Sequence, residues 1–206
     1  PPLWAWLIAP VTQVADFETL RAIARPLNGL LLIVMLLAAH RLAAPRMAQA
    51  AFVGTGLLLF FFTRIGFVGL LQNQPQILVA CLTVVAVERA ERNAPVTAGA
   101  LMALAAAIKL YPVFLALVWL AQGRYRAAAV FAAAGAMLGL GSIALSGWPL
   151  HVQFLGLLDA ISHTALITGE TITLVSTLIG SLLPDLAQGV FMSTTEAAEA
   201  TPSWWV

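Results

Sequence analysis

Lys109 is the residue on which most chemistry could turn. It ends an Ala/Leu run, 101–108, where an ammonium is costly unless an anion, water or the headgroup layer receives it. Two answers are open from the residue alone: the stem snorkels to the headgroups, or the charge holds a lipid phosphate at the membrane ledge. Tyr111 and Pro112 follow at once, a hydroxyl donor and a helix breaker where a cavity would open. A second polar group, Gln72-Asn73-Gln74-Pro75-Gln76, sets four amides within five residues between two apolar runs. Amides donate and accept together, which suits sugar hydroxyls or phosphate oxygens, and equally suits helix caps or bonds between helices in lipid. Arg64 lies on the same turn; its planar fork fits a phosphate, or the headgroup layer.

Weaker candidates complete the set. Asp16, Glu18, Arg21 and Arg25 form a charged knot whose helical neighbours can neutralise one another. His151, Asp159 and His163 sit at spacings of eight and four, compatible with one helix face. Cys81 stands alone in an apolar run, which excludes a disulfide framework and a cysteine metal site. With three scattered histidines, neither metal nor cofactor is expected.

The elements that must position these residues are apolar helices. Of 206 residues 61% are apolar and 9% charged, against about half and about a quarter in soluble domains, so an ordinary soluble globule is excluded. Ten Lys/Arg against nine Asp/Glu leave a net charge of +1, with no basic field for nucleic acid. Six apolar stretches are separated by charges and breakers: 27–39, 48–62, 76–87, 95–108, 112–121 and 127–145, with a weaker seventh at 172–183. Several fall short of the roughly 20 residues that cross about 30 Å of hydrocarbon, which suits helices inside a bundle or a locally thinned bilayer. The expectation is therefore an all-α, polytopic membrane helix bundle of about six to seven membrane helices.

Its domain organisation is read as a single bundle over 1–183. Residues 1–14, with Trp4, Trp6 and Pro10, form an interfacial helix in the headgroup plane, and 27–145 hold the main membrane helices. Residues 146–171 are an outer loop, 172–183 a weak last helix and 184–206 a polar tail. The opening Pro1-Pro2-Leu3, without Met or signal peptide, suggests a start inside a longer protein.

Six of the ten positive charges, Arg41, Arg46, Arg89, Arg92, Arg124 and Arg126, fall in three loops: 40–46, 88–93 and 122–126. The positive-inside rule places all three in the cytoplasm, which requires an even number of crossings between them. Residues 95–121 must then turn back at Lys109-Leu110-Tyr111-Pro112, as two short helices rather than one rod. The remaining polar groups gather on the outer side.

Several segments resemble membrane-embedded C-type glycosyltransferases: Pro1-Pro2-Leu3-Trp4-Ala5-Trp6-Leu7, then Arg25-Pro26. The stretch from Ala98-Gly99-Ala100-Leu101 to Lys109-Leu110-Tyr111-Pro112, followed by Arg124-Tyr125-Arg126, most resembles glycosyltransferase family 87, the polyprenol-phosphate-mannose-dependent mannosyltransferases. The family's Gly-Gln-x-Asn turn reads Asn73-Gln74-Pro75-Gln76 here, keeping only the glutamine. The resemblance spans roughly 1–183. It implies inverting transfer of a sugar, mannose foremost, from a polyprenyl-phosphate donor to an acceptor hydroxyl on the outer side of a bacterial inner membrane. It assigns the general base to an outer-loop aspartate upstream of Pro1 and further crossings after the chain, so the fragment is expected to be inactive alone. Donor phosphate would meet Lys109, Arg64 and Tyr111; sugar or acceptor would meet Gln74, Gln76 and Asn73; Arg25, Asp159 and His163 are subsidiary candidates. The competing readings are a small transporter and a structural membrane subunit. A transporter needs midplane polar residues and symmetric halves, which the sequence does not display.

Overall fold

A computed structural model describes residues 2–63, 66, 69–70, 75–162, 164–168 and 188–193. Two compact units divide the chain, Pro1–Gly147 and Trp148–Val206.

The first unit is helical throughout its described residues. Its helices are α1 (Pro2–Val14), α2 (Phe17–Ala43), α3 (Gln49–Phe62), α4 (Gln76–Glu91), α5 (Pro95–Ile108), α6 (Pro112–Ala121) and α7 (Tyr125–Ser146). Each begins or ends for a local reason. Asp16 caps α2: its Oδ1 accepts a 2.7 Å hydrogen bond from the Thr19 amide, satisfying one donor that the first turn leaves open. Pro95 and Pro112 open α5 and α6, where a missing N–H costs nothing. Gly123 and Asn93 take positive φ (73° and 54°) in the short turns before α7 and α5.

α5 is the centre of this unit, packed between α4 and α7; α2 lies against α4, α3 against α2, and α6 against α5 and α7. α1 reaches α5 and α7. Small residues make the tight contact possible. Ala98 and Met102 of α5 are fully buried with Ala127 and Ala128 of α7, Ala86 and Ala90 of α4, and Ala116 and Trp119 of α6. A Cβ on Gly99 would lie 2.6 Å from the Phe131 amide nitrogen and 2.7 Å from the Ala127 carbonyl oxygen, so the two backbones nearly touch. A second cluster, Val79, Ala105 and Ile108, packs beneath Trp4 of α1.

α2 and α7 are each long and apolar enough to cross a membrane, while α3, α5 and α6 are apolar but shorter. Only 17% of the α2 window and 11% of the α7 window are buried, which is the opposite of a soluble core helix. Phe62 (85% exposed), Phe114 (70%) and Met137 (70%) point the same way: the outer surface is apolar and needs lipid as its solvent.

The charged knot at 16–25 forms the first turns of α2, which runs unbroken through Pro26. Its cap at Asp16 nucleates the helix ten residues before the apolar run begins. The second unit contains α8 (Trp148–Ser162) and an antiparallel pair, β1 (Thr164–Thr168) with β2 (Gln188–Ser193). Thr164 faces Ser193 and Thr168 faces Gln188, with a register irregularity between Ile167 and Thr168. These strand sequences are rich in Thr, Ile and Val, whose branched side chains favour extended backbone. The expected weak helix over 172–183 lies outside the described residues.

Candidate functional site

The break between α5 and α6 falls where a turn was expected. Lys109 ends α5 in extended conformation (φ −139°, ψ 137°), its amide still bonded to the Ala105 carbonyl at 3.0 Å. Tyr111 precedes a proline, which ordinarily disfavours helical backbone, yet it is helical (φ −58°, ψ −28°) as the cap of α6. The change of direction is thus carried by Lys109 and Leu110, one turn of chain anchored by buried Ile108 on one side and buried Pro112 on the other. Between those anchors Lys109 is half-buried, and Leu110 and Tyr111 are exposed.

Gln76, at the start of α4, meets this bend: its Nε2 approaches the Tyr111 hydroxyl at 3.5 Å, a long contact across 35 residues of sequence. Partial burial pushes the Tyr111 phenol above its ordinary value of 10, and the Gln76 contact works in the opposite, weaker sense. The phenol is therefore neutral, a donor as well as an acceptor, at any physiological pH. Among the described residues no carboxylate lies within ion-pair distance of Lys109. Tyr111 and Gln76 thus make a small polar ledge next in sequence to Lys109, a cation with no ionic partner among the described residues. Arg64, Asn73 and Gln74, expected beside them, lie outside the described residues, as does His163.

The opposite end of the same helices carries the arginines. Glu88 of α4 is 2% exposed and receives three of them: Arg89 Nε at 2.6 Å, Arg92 Nε at 2.6 Å and Arg41 of α2 at 3.7 Å. The Arg92 approach is close but poorly angled, so Glu88 Oε1 gains charge pairing without a formal hydrogen bond. Arg124 Nη2 bonds Glu91 at 2.6 Å, tying the α6–α7 turn to the α4–α5 turn. All three basic loops consequently meet at one pole. The 16 residues of α4 run from Gln76 to Glu91, so the two poles stand about 22 Å apart at 1.5 Å rise per residue. Sequence reasoning missed Glu88 as the hub; the available signal was a carboxylate one and four residues before arginines in an otherwise apolar helix.

The weaker candidates separate. Glu18 and Arg21 pair at 3.5 Å on exposed α2, as the self-neutralising reading required. Arg25, one turn on, is exposed and makes no ion pair with a described residue. In the second unit, His151 stacks on Trp148 (6.4 Å between centroids, planes 6° apart), and Asp159 is on the same helix, α8. Among the described residues no three His, Cys, Asp or Glu side chains gather as a metal site would need.

Apolar helices with uncovered apolar faces, and three arginine loops gathered at one pole, define a helical membrane protein. A family model for glycosyltransferase family 87 matches residues 1–204. The chain belongs to that family, and membership makes it a membrane glycosyltransferase. No curated protein and no solved structure matches it.

Proposed function

We propose that the protein transfers a sugar, mannose foremost, from a polyprenyl-phosphate carrier to an acceptor hydroxyl, at the ledge formed by Lys109, Tyr111 and Gln76. One observation carries the reading: a half-buried ammonium with no ion pair to a described residue, at a helix break on the pole opposite the arginine loops. By the positive-inside rule the arginine pole is cytoplasmic. The ledge then faces outward from a bacterial inner membrane, and the chain crosses about six to seven times. The bilayer thins locally around α6, whose ten residues span only about 15 Å.

A lipid-linked donor fits this layout. Its tail stays in the bilayer, its phosphate lies at headgroup depth, and its sugar projects beyond. In the reaction the acceptor oxygen attacks the anomeric carbon as the bond from that carbon to the phosphate oxygen breaks, with inversion. The hydroxyl proton passes to a carboxylate base. Polyprenyl phosphate leaves carrying an additional negative charge. Lys109 would stabilise that charge as it develops, and because no described carboxylate competes for the ammonium, the full charge is available to it. Tyr111 would donate to a phosphate oxygen, and Gln76, through its amide, would orient Tyr111 or a sugar hydroxyl. Arg64, Asn73 and Gln74 are proposed for the same ledge from their place in the sequence.

The test is transfer kinetics in the native, full-length protein with a polyprenyl-phosphate-mannose donor. Lys109→Ala should lower kcat/KM by about a hundredfold, the size of effect of a charge-stabilising donor, while Lys109→Arg keeps most of the activity. Wild-type kinetics in Lys109→Ala would remove the ledge from the mechanism.

A further inference from the structure

A second site is visible at the pole away from the ledge. A cleft of about 640 Å³ opens between the α4–α5 turn and the α6–α7 turn, lined by Asn93, Pro95, Gly123, Arg124, Tyr125 and Arg126 together with two alanines. Its two arginines differ. Arg124 is held by Glu91 at 2.6 Å, so its charge is largely answered. Arg126 is exposed and forms no ion pair with a described residue. The wider pole is cationic as well: among the described residues Arg41, Arg89 and Arg92 share the buried Glu88, and Arg46 forms no ion pair.

Exposed apolar residues stand near the lining residues in sequence. Val96, next to the lining Pro95, is 66% exposed, and Leu120, three residues before Gly123, is 47% exposed. Tyr125 at the mouth is 67% exposed, the amphipathic type of side chain that sits at a membrane–water interface. An inorganic ion would have no use for such neighbours. A headgroup with acyl chains attached would.

We propose that this cleft binds the phosphate of an anionic phospholipid in the leaflet opposite the ledge, with Arg126 as its principal cation, Asn93 and Tyr125 as neutral partners, and acyl chains lying over Val96 and Leu120. The site is distinct from the transfer ledge, and the inference does not depend on the donor assigned there. It makes a particular lipid class part of the folded protein.

The test is native mass spectrometry of the detergent-solubilised protein titrated with phosphatidylglycerol and, in parallel, with phosphatidylcholine. Wild type should retain phosphatidylglycerol in preference. Arg126→Ala should weaken that binding about fivefold, the effect of one basic residue at an anionic lipid surface, and Arg126→Lys should restore most of it. Arg46→Ala removes the same charge from the same pole outside the cleft, and should change retention by less than twofold. Equal losses in Arg46→Ala and Arg126→Ala would replace the site with a diffuse field and overturn the proposal. Competition by millimolar inorganic phosphate against phosphatidylglycerol would overturn it too, by showing a free-anion site.

Discussion

Gly99 offers a case in which two opposing effects can be weighed. In helical backbone a glycine-to-alanine change ordinarily stabilises by about 0.5–1 kcal/mol, because alanine has less freedom to lose. At Gly99 the new methyl would stand 2.6 Å from the Phe131 amide nitrogen, 2.7 Å from the Ala127 carbonyl oxygen and 2.7 Å from the Val130 Cβ. Two of those atoms belong to the α7 backbone and cannot rotate aside. Ordinary contact begins near 3.4 Å, so α5 and α7 must separate by most of an ångström across their whole alanine seam. Overpacking of this kind costs about 1–3 kcal/mol, which exceeds the propensity gain. The net loss is about 1 kcal/mol, a fall in Tm of roughly 2–4 °C for a chain of this size. Gly135 of α7 supplies the control, because a Cβ there meets nothing within 4 Å; Gly135→Ala should leave Tm unchanged or raise it. The assay is thermal unfolding of purified protein in one detergent, followed by size-exclusion chromatography of heated samples. Equal Tm values for Gly99→Ala and Gly135→Ala would refute the close approach of α5 and α7.

Further outcomes are expected at other positions. Glu88→Ala leaves Arg41, Arg89 and Arg92 facing one another without their shared carboxylate; these arginines are a third to a half exposed, so solvent limits the loss to roughly 1–2 kcal/mol. Thermal unfolding should show that loss, and added salt should reduce it by screening the repulsion. Asp16→Ala should fray the first turn of α2 while Asp16→Asn preserves the cap, as read by amide exchange of residues 17–20. The Thr19 side-chain and backbone hydrogen bonds hold the Asp16 carboxyl below its ordinary 3.8, so the cap's contribution is complete above that value. It disappears as pH falls through the lower folded-state value. Tyr111→Phe removes a long, partly exposed contact, so Tm should shift by less than about 0.5 kcal/mol equivalent, with any larger effect confined to transfer kinetics.

The poles were legible from the chain because charge placement in a membrane protein is nearly one-dimensional. Arginine loops at 40–46, 88–93 and 122–126 come together at one pole, and Pro112 marks a break near Lys109; α5 and α6 end and begin at that break. The Glu18–Arg21 pair was legible for the same local reason. What sequence did not disclose was anything set by tertiary approach. Glu88 reads as one acid in a basic loop until Arg41, 47 residues earlier, is brought to it. The Gln76–Tyr111 contact likewise needs α4 and α5 side by side. The apolar run at 27–39 marks only part of α2; the Asp16 cap and charged first turns extend the helix into polar sequence. The cleft at the arginine pole arises from two turns meeting, and neither turn announces it alone.

The proposed function requires the Lys109 bend and the arginine loops to open to opposite sides of the membrane. Single cysteines introduced as Leu110→Cys and as Gln122→Cys, each in a Cys81→Ala background, can be challenged in intact cells with a thiol reagent that does not cross the membrane. Labelling at position 110 and none at 122 until the membrane is permeabilised is the expected result. Labelling at 122 in intact cells, with 110 protected, would contradict the account.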